Sequence, residues 1–309
     1  MLSAVVLAAT ISPWLYQAGK NLAEAAETKD LNPLLEWLGG ACQRARFGRF
    51  FSRSLVISAA AMLPLLLWRI RRIRAEGRSA TQSSNGVSWK STLIQGATGC
   101  VIAGGMLWAM AMIFRSLGAC TAESEIMPIG KLMGRVIFPA VAASLLEESL
   151  FRGILLGLWL KFAKPLAACI GTSICFAFVH FLEPPPEAVI AHPGTWLAGF
   201  ELLGKILLHF TNPRFFITDF ATLFLIGMIL ARARLRTGGL GFSIGLHAGW
   251  VLAFKTFNLR YDLVSAHPLH PWGIGESLRS GLLPLLTLGL TAGVCHLFLR
   301  RFENKAKIS

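Results

Sequence analysis

Residues 145–157, LLEESLFRGILLG, place Glu147, Glu148 and Arg152 inside a run that is otherwise apolar from Leu132 to Leu160. A single charge near the centre of a bilayer costs roughly 2.5–3.5 kcal/mol on insertion scales, so membrane chains keep charges only where they are used or paired. Three of them so close together mark a site, with Arg135 as a further charge upstream. On a helix of 3.6 residues per turn, Glu148 and Arg152 stand at i and i+4 on one face, while Glu147 points about 100° away. The expectation is an arginine that holds Glu148 and leaves Glu147 to act.

The rest of the chain agrees with a membrane setting. Of its 309 residues 54% are hydrophobic and 15% charged, and the mean hydropathy is +0.58, too apolar for a soluble domain of ordinary composition. The fold class expected is therefore all-α, a polytopic membrane helix bundle of about eight transmembrane helices. A net charge of +14 could suggest nucleic acid. Yet the basic residues cluster beside apolar runs, which positive-inside anchoring explains, so lipid is the expected partner and nucleic acid is not. The six cysteines show no CxxC spacing, and four lie within apolar runs. They read as small core residues, with no disulfide framework or zinc site implied.

Along the chain, 1–18 is apolar with no Lys or Arg at its front and no convincing cleavage site, and is taken as a first membrane helix. Residues 20–53, with a basic cluster at Arg44, Arg46, Arg49 and Arg53, suit a loop with an interfacial amphipathic helix. A second span, 55–68, ends in RIRRIR, and 75–90 is a polar linker. Further spans are expected at 93–114, 132–160, 166–182, 215–230, 240–257 and 282–299, with an interfacial or re-entrant helix near 196–210. The 132–160 run would reach about 43 Å, beyond the roughly 30 Å hydrocarbon core, so it must tilt, break or protrude. With basic stops at Arg69, Arg232 and Arg300 inside, eight spans alternate; the Arg44–Arg53 cluster then falls on the wrong side and keeps seven spans open. The domain division expected is 1–130 for N-terminal spans and linker, 131–260 for a catalytic helix core, and 261–309 for a C-terminal loop and last span.

Two histidines also stand inside apolar segments, His180 in CFAFVHF and His247 in SIGLHAGW. One such histidine alone reads as a hydrogen-bonded packing residue. Two carboxylates, an arginine and two histidines on three spans instead supply the parts of general acid–base chemistry, and are expected to line one polar cavity. Small residues at four-residue spacing, Ser149/Gly153/Gly157 and Gly241/Gly245/Gly249, predict close helix packing on both site-bearing helices. Residues 241–245 match G-x-S-x-G, but the nucleophile elbow needs a strand before it, and here the run is helix-length and apolar. Glu147, Glu148, His180 and His247 could also supply three metal ligands and an open position, although no HExxH pair makes that specific. The segment His267-Pro268-Leu269-His270-Pro271 reads as a rigid turn rather than a metal site.

These residues together, Glu147, Glu148 and Arg152, then Phe176 four before His180, then His247, resemble the CPBP intramembrane proteases, which include the type II CAAX-processing endopeptidases and the bacterial Abi-like proteins. The resemblance covers about 132–257. It implies a multi-pass endopeptidase of a bacterial inner membrane acting on a peptide or protein substrate. In it Glu147 would be the principal base, Glu148 its partner and Arg152 the residue holding their geometry. His180 would share water activation and His247 would contribute to the oxyanion site. The family commonly has a polar residue, often asparagine, four after the last histidine; Val251 stands there, with Ser243 a conceivable substitute. The leading reading needs no cofactor, and metal dependence stays open because members differ. A catalytically inactive scaffold or immunity-type protein and a proton-coupled transporter are the alternatives. His180, close to the end of its span, can meet Glu147 only if its helix continues past Leu182 or the 132–160 helix is displaced.

Overall fold

The computed structural model describes residues 2–76, 88–122, 128–182 and 188–306. The chain is mostly helical. In order, the elements are α1 (Leu2–Thr28), α2 (Pro33–Arg44), α3 (Phe47–Glu76), α4 (Trp89–Ser116), β1 (Cys120–Ala122), α5 (129–159) and α6 (Pro165–His180). There follow α7 (Ala198–His209), α8 (Pro213–Thr237), α9 (Gly241–Asn258), β2 (Tyr261–Leu263) and α10 (Leu282–Ala306). The long apolar helices mark an integral membrane protein. Among the described residues α4, α8 and the 282–300 part of α10 are long and apolar enough to cross a bilayer, and α6 is a shorter apolar helix. The figure of about eight spans goes beyond these.

Contacts divide the chain into two compact units, Met1–Ala80 with Val179–Asn212, and Thr81–Phe178 with Pro213–Ser309. In the first, α1 packs with α2, α3 and α7. Asn32 caps α2 by accepting from the Leu35 amide at 2.9 Å, ahead of Pro33 at the first helical position. At its other end the Lys20 ammonium donates to the carbonyls of Cys42, Gln43 and Ala45, which suits the negative end of a helix. Phe50 and Phe51 are buried, and Tyr16 meets Phe47 and Phe50 edge-on. Within 20–53 a helix does form, α2, while Arg49 and Arg53 lie inside α3 rather than in a loop. The linker expected at 75–90 falls mostly outside the described residues.

The second unit is built around α9, buried along most of its length. Its glycines lie directly on α4: a Cβ on Gly241 would sit 2.5 Å from the Thr92 carbonyl oxygen, on Gly245 2.0 Å from that of Gly96, and on Gly249 2.4 Å from that of Cys100. Only glycine tolerates such backbone approach. The apolar core gathers Phe114 of α4, Leu230 of α8, Phe242, Leu246 and Phe257 of α9, and Leu288 of α10. One small departure from an all-α fold ties the ends of α4 and α9 together, where β1 and β2 pair antiparallel with Cys120 opposite Leu263.

Helix α8 runs through the RARLR segment and stops at Gly238, whose φ of +69° terminates it. One expectation is corrected. The Ser149/Gly153/Gly157 ladder is not a packing surface: all three are exposed, and a Cβ on Gly157 would meet nothing within 4 Å. The ladder stands one position along from the buried Glu148/Arg152/Leu156 stripe, about 100° round the helix. Helix α5 also changes to π-helix at Met133–Ile137 and at Ser149–Leu155.

Candidate active site

Helix α5 presents Val136, Ala140, Ser144, Glu148 and Arg152 on one buried face. Glu148 has no exposed surface and Arg152 is 2% exposed. The i,i+4 pair expected from spacing is formed, with Arg152 Nη1 donating to Glu148 Oε1 at 2.8 Å. The guanidinium does not grip both carboxylate oxygens, however. Its Nη2 donates to the Gly227 carbonyl of α8 at 3.3 Å, so the fork bridges two helices.

From α9, His247 enters the same cluster, 5% exposed. Its Nδ1 lies 3.1 Å from Glu148 Oε1, a distance at which a protonated Nδ1 donates to the carboxylate. Its Nε2 lies 3.8 Å from Glu147 Oε2, and the Glu147 side chain is 31% exposed. One imidazole thus faces two carboxylates, one sealed and one reaching the surface. Phe176 of α6 closes the cluster: the guanidinium carbon of Arg152 stands 4.3 Å from its ring centroid, and the His247 ring meets it edge-on at 5.9 Å. Phe151 packs edge-on against Phe176 at 5.2 Å.

The second unit therefore brings together Glu147, Glu148, Arg152 and His247. His180 is the last residue of α6, one turn beyond Phe176, and belongs to the first unit. Its helix stops there rather than continuing past Leu182. Arg135 is exposed in the first π segment. Ser243 is buried and donates to the Leu240 carbonyl at 3.0 Å, within a helix that no strand precedes, so 241–245 is no nucleophile elbow. His267 is held in a turn, with Nε2 at 3.2 Å from the Leu117 carbonyl and Nδ1 accepting from the Leu269 amide at 3.3 Å. Gly227 was not foreseen. A glycine inside the apolar run of α8 was its only signal; a Cβ there would lie 2.8 Å from Ser173 Cβ of α6, and this close approach accompanies the carbonyl that Arg152 uses.

Among the described residues, no group of three His, Cys, Asp or Glu is placed to hold a metal ion.

A charged cluster sealed between apolar helices defines a membrane protein with a buried polar site. Residues 129–253 match the family model described as Rce1-like, type II CAAX prenyl endopeptidase Rce1-like, which supports the resemblance of this stretch to the CPBP family. That family is one of membrane proteases acting on peptide or protein substrates. No curated protein and no solved structure matches the chain.

Proposed function

We propose that this protein is a CPBP-type endopeptidase that hydrolyses a peptide bond at or within a bacterial inner membrane, with 131–260 as its catalytic core. The observation that carries the reading is His247 set between a sealed carboxylate, Glu148, and a partly exposed one, Glu147. Glu147 takes a proton from water, and the hydroxide attacks the scissile carbonyl carbon. As the tetrahedral adduct collapses, the carbon–nitrogen bond breaks and Glu147 returns the proton to the leaving amine. Glu148, tied to the Arg152 guanidinium, sets the orientation of the His247 ring. The resemblance assigns His180 a share in water activation.

The donor set favours proton transfer over metal binding. A divalent ion on Glu148 would meet a guanidinium already bound to the same oxygen. Cleavage should therefore persist after treatment with EDTA or 1,10-phenanthroline.

The family description makes a prenylated CAAX peptide the first substrate to try. The purified full-length protein in nanodiscs should cleave an internally quenched farnesylated CAAX peptide. Glu147→Gln should lower kcat at least about 10²-fold, as loss of a general base does. Retained turnover in Glu147→Gln would overturn the mechanism. The same variant, incubated with membranes and analysed by mass spectrometry of what it retains, would identify natural substrates.

A further inference from the structure

Peptide hydrolysis places negative charge on the carbonyl oxygen, and a site that accelerates it needs a hydrogen-bond donor waiting there. The resemblance gives His247 a share of that role, and its Nε2, 3.8 Å from Glu147 Oε2, is outside hydrogen-bond distance of that carboxylate. The second donor is the one in question: Ser243 donates to Leu240. Val251, one turn after His247 on α9, has no polar atom in its side chain.

Ser144 stands one turn before Glu148 on the buried face of α5. It is fully buried, and its Oγ makes no hydrogen bond among the described residues. Some buried helical hydroxyls donate to the carbonyl one turn back, as Ser54 does to Phe50 at 2.9 Å, Thr172 to Ala168 at 2.8 Å and Thr291 to Thr287 at 2.8 Å. Ser144, like Ser58 and Ser173, makes no such bond, and of these three it alone stands on the α5 face that carries Glu148. Glu148 Oε2 is likewise buried and accepts no hydrogen bond among the described residues. Two unpartnered polar atoms therefore occur one turn apart on one face, where an uncompensated polar group is costly to bury.

The pairing of the helices gives this position its level. A Cβ on Gly153 would lie 3.6 Å from Leu240 Cδ1, and Glu148 meets His247, so α5 and α9 run antiparallel at the site. Continuing one turn along each from the Glu148–His247 contact brings Ser144 level with Val251. Ser144 is thus one turn from Glu148 along α5 and, by this register, one turn from the level of His247.

We propose that the Ser144 hydroxyl is a catalytic hydrogen-bond donor that stabilises the oxyanion formed from the scissile carbonyl. The proposal rests on the endopeptidase reading above. As a packing residue, Ser144 would lose nothing on becoming alanine, because alanine fits the same space. As an oxyanion donor it contributes chiefly in the transition state, so Ser144→Ala should lower kcat about 10²–10³-fold and leave KM within about two-fold. The experiment measures kcat and KM of wild type, Ser144→Ala and Glu147→Gln on the farnesylated CAAX peptide in nanodiscs, with thermal unfolding of each. A Ser144→Ala protein that unfolds like wild type and turns over at the full rate, while Glu147→Gln is inactive, overturns the oxyanion assignment and leaves the endopeptidase reading standing. A change confined to KM overturns it also. No cleavage by wild type overturns the reading on this substrate, and the Ser144 assignment with it.

Discussion

Helix α9 keeps regular α-helical geometry from Gly241 to Asn258 and is buried along most of its length, whereas α5 changes to π-helix twice and buries one face only. Both carry glycines at four-residue spacing, and both contribute charged or titratable groups to one cluster. On α9 the glycines bring the backbone against α4, and the imidazole is thereby mounted on a fixed support. On α5 the small residues face outwards, and the helix is held at the site by side chains: Arg152 ties Glu148 to Gly227, and Phe176 covers the guanidinium. One half of the site is thus positioned by backbone packing and the other by a charged network. Identical small-residue spacing carries no information about which applies.

The contrast between the two helices can be tested from its strongest point downwards. Arg152→Ala leaves Glu148 sealed without its counter-charge and should cost roughly 3–5 kcal/mol of stability, or force the carboxylate to take up a proton. Arg152→Lys should recover little of this, because one ammonium cannot reproduce a planar fork directed at both Glu148 Oε1 and Gly227 O. Thermal unfolding in detergent reads both; an unchanged transition for Arg152→Ala would show that α5 is held by something other than the charged network.

Gly245→Ala comes next. Its Cβ would fall 2.0 Å from the Gly96 carbonyl oxygen, a backbone atom that cannot turn aside, so α9 and α4 must separate at a cost of roughly 1–3 kcal/mol. Gly96→Ala, on the facing helix, should be milder, since its Cβ would lie 3.4 Å from the Gly241 oxygen. Equal effects of the two would argue against α9 pressing its glycines onto the α4 backbone. At the small end, Gly157→Ala on α5 meets nothing and should be neutral or stabilise by about 0.5–1 kcal/mol through lost unfolded-chain freedom. A destabilised Gly157→Ala would restore the packing role that its spacing suggests.

The two helices also differ in how much of them could be read beforehand. Glu148 and Arg152 are four residues apart, and any helix brings such a pair within reach, so that contact was legible in the sequence. Near Gly245 the spacing announced close packing, but its partner ladder, Thr92, Gly96 and Cys100, is mixed in residue type and carried no comparable signal. The same rule failed at Gly157. Spacing of four puts residues on one face without telling which face is buried, and the buried one is the adjacent Glu148/Arg152/Leu156 stripe.

By itself, the sequence determined what is local or cumulative. Apolar length and basic flanks imply a membrane bundle, charges within an apolar run imply a site, and the order of glutamates, arginine and histidines resembles a protease family. Tertiary structure decided what depends on partners distant in the chain. His247 reaches Glu148 across 99 positions, Arg152 spends half of its fork on a backbone carbonyl of α8, and Ser243 is occupied within its own helix. That Ser144 is left without a partner while Ser243 bonds within its own helix is likewise visible only in the structure. Hydrogen bonds act over about 3 Å and depend on direction, so composition and spacing along one helix cannot supply that answer.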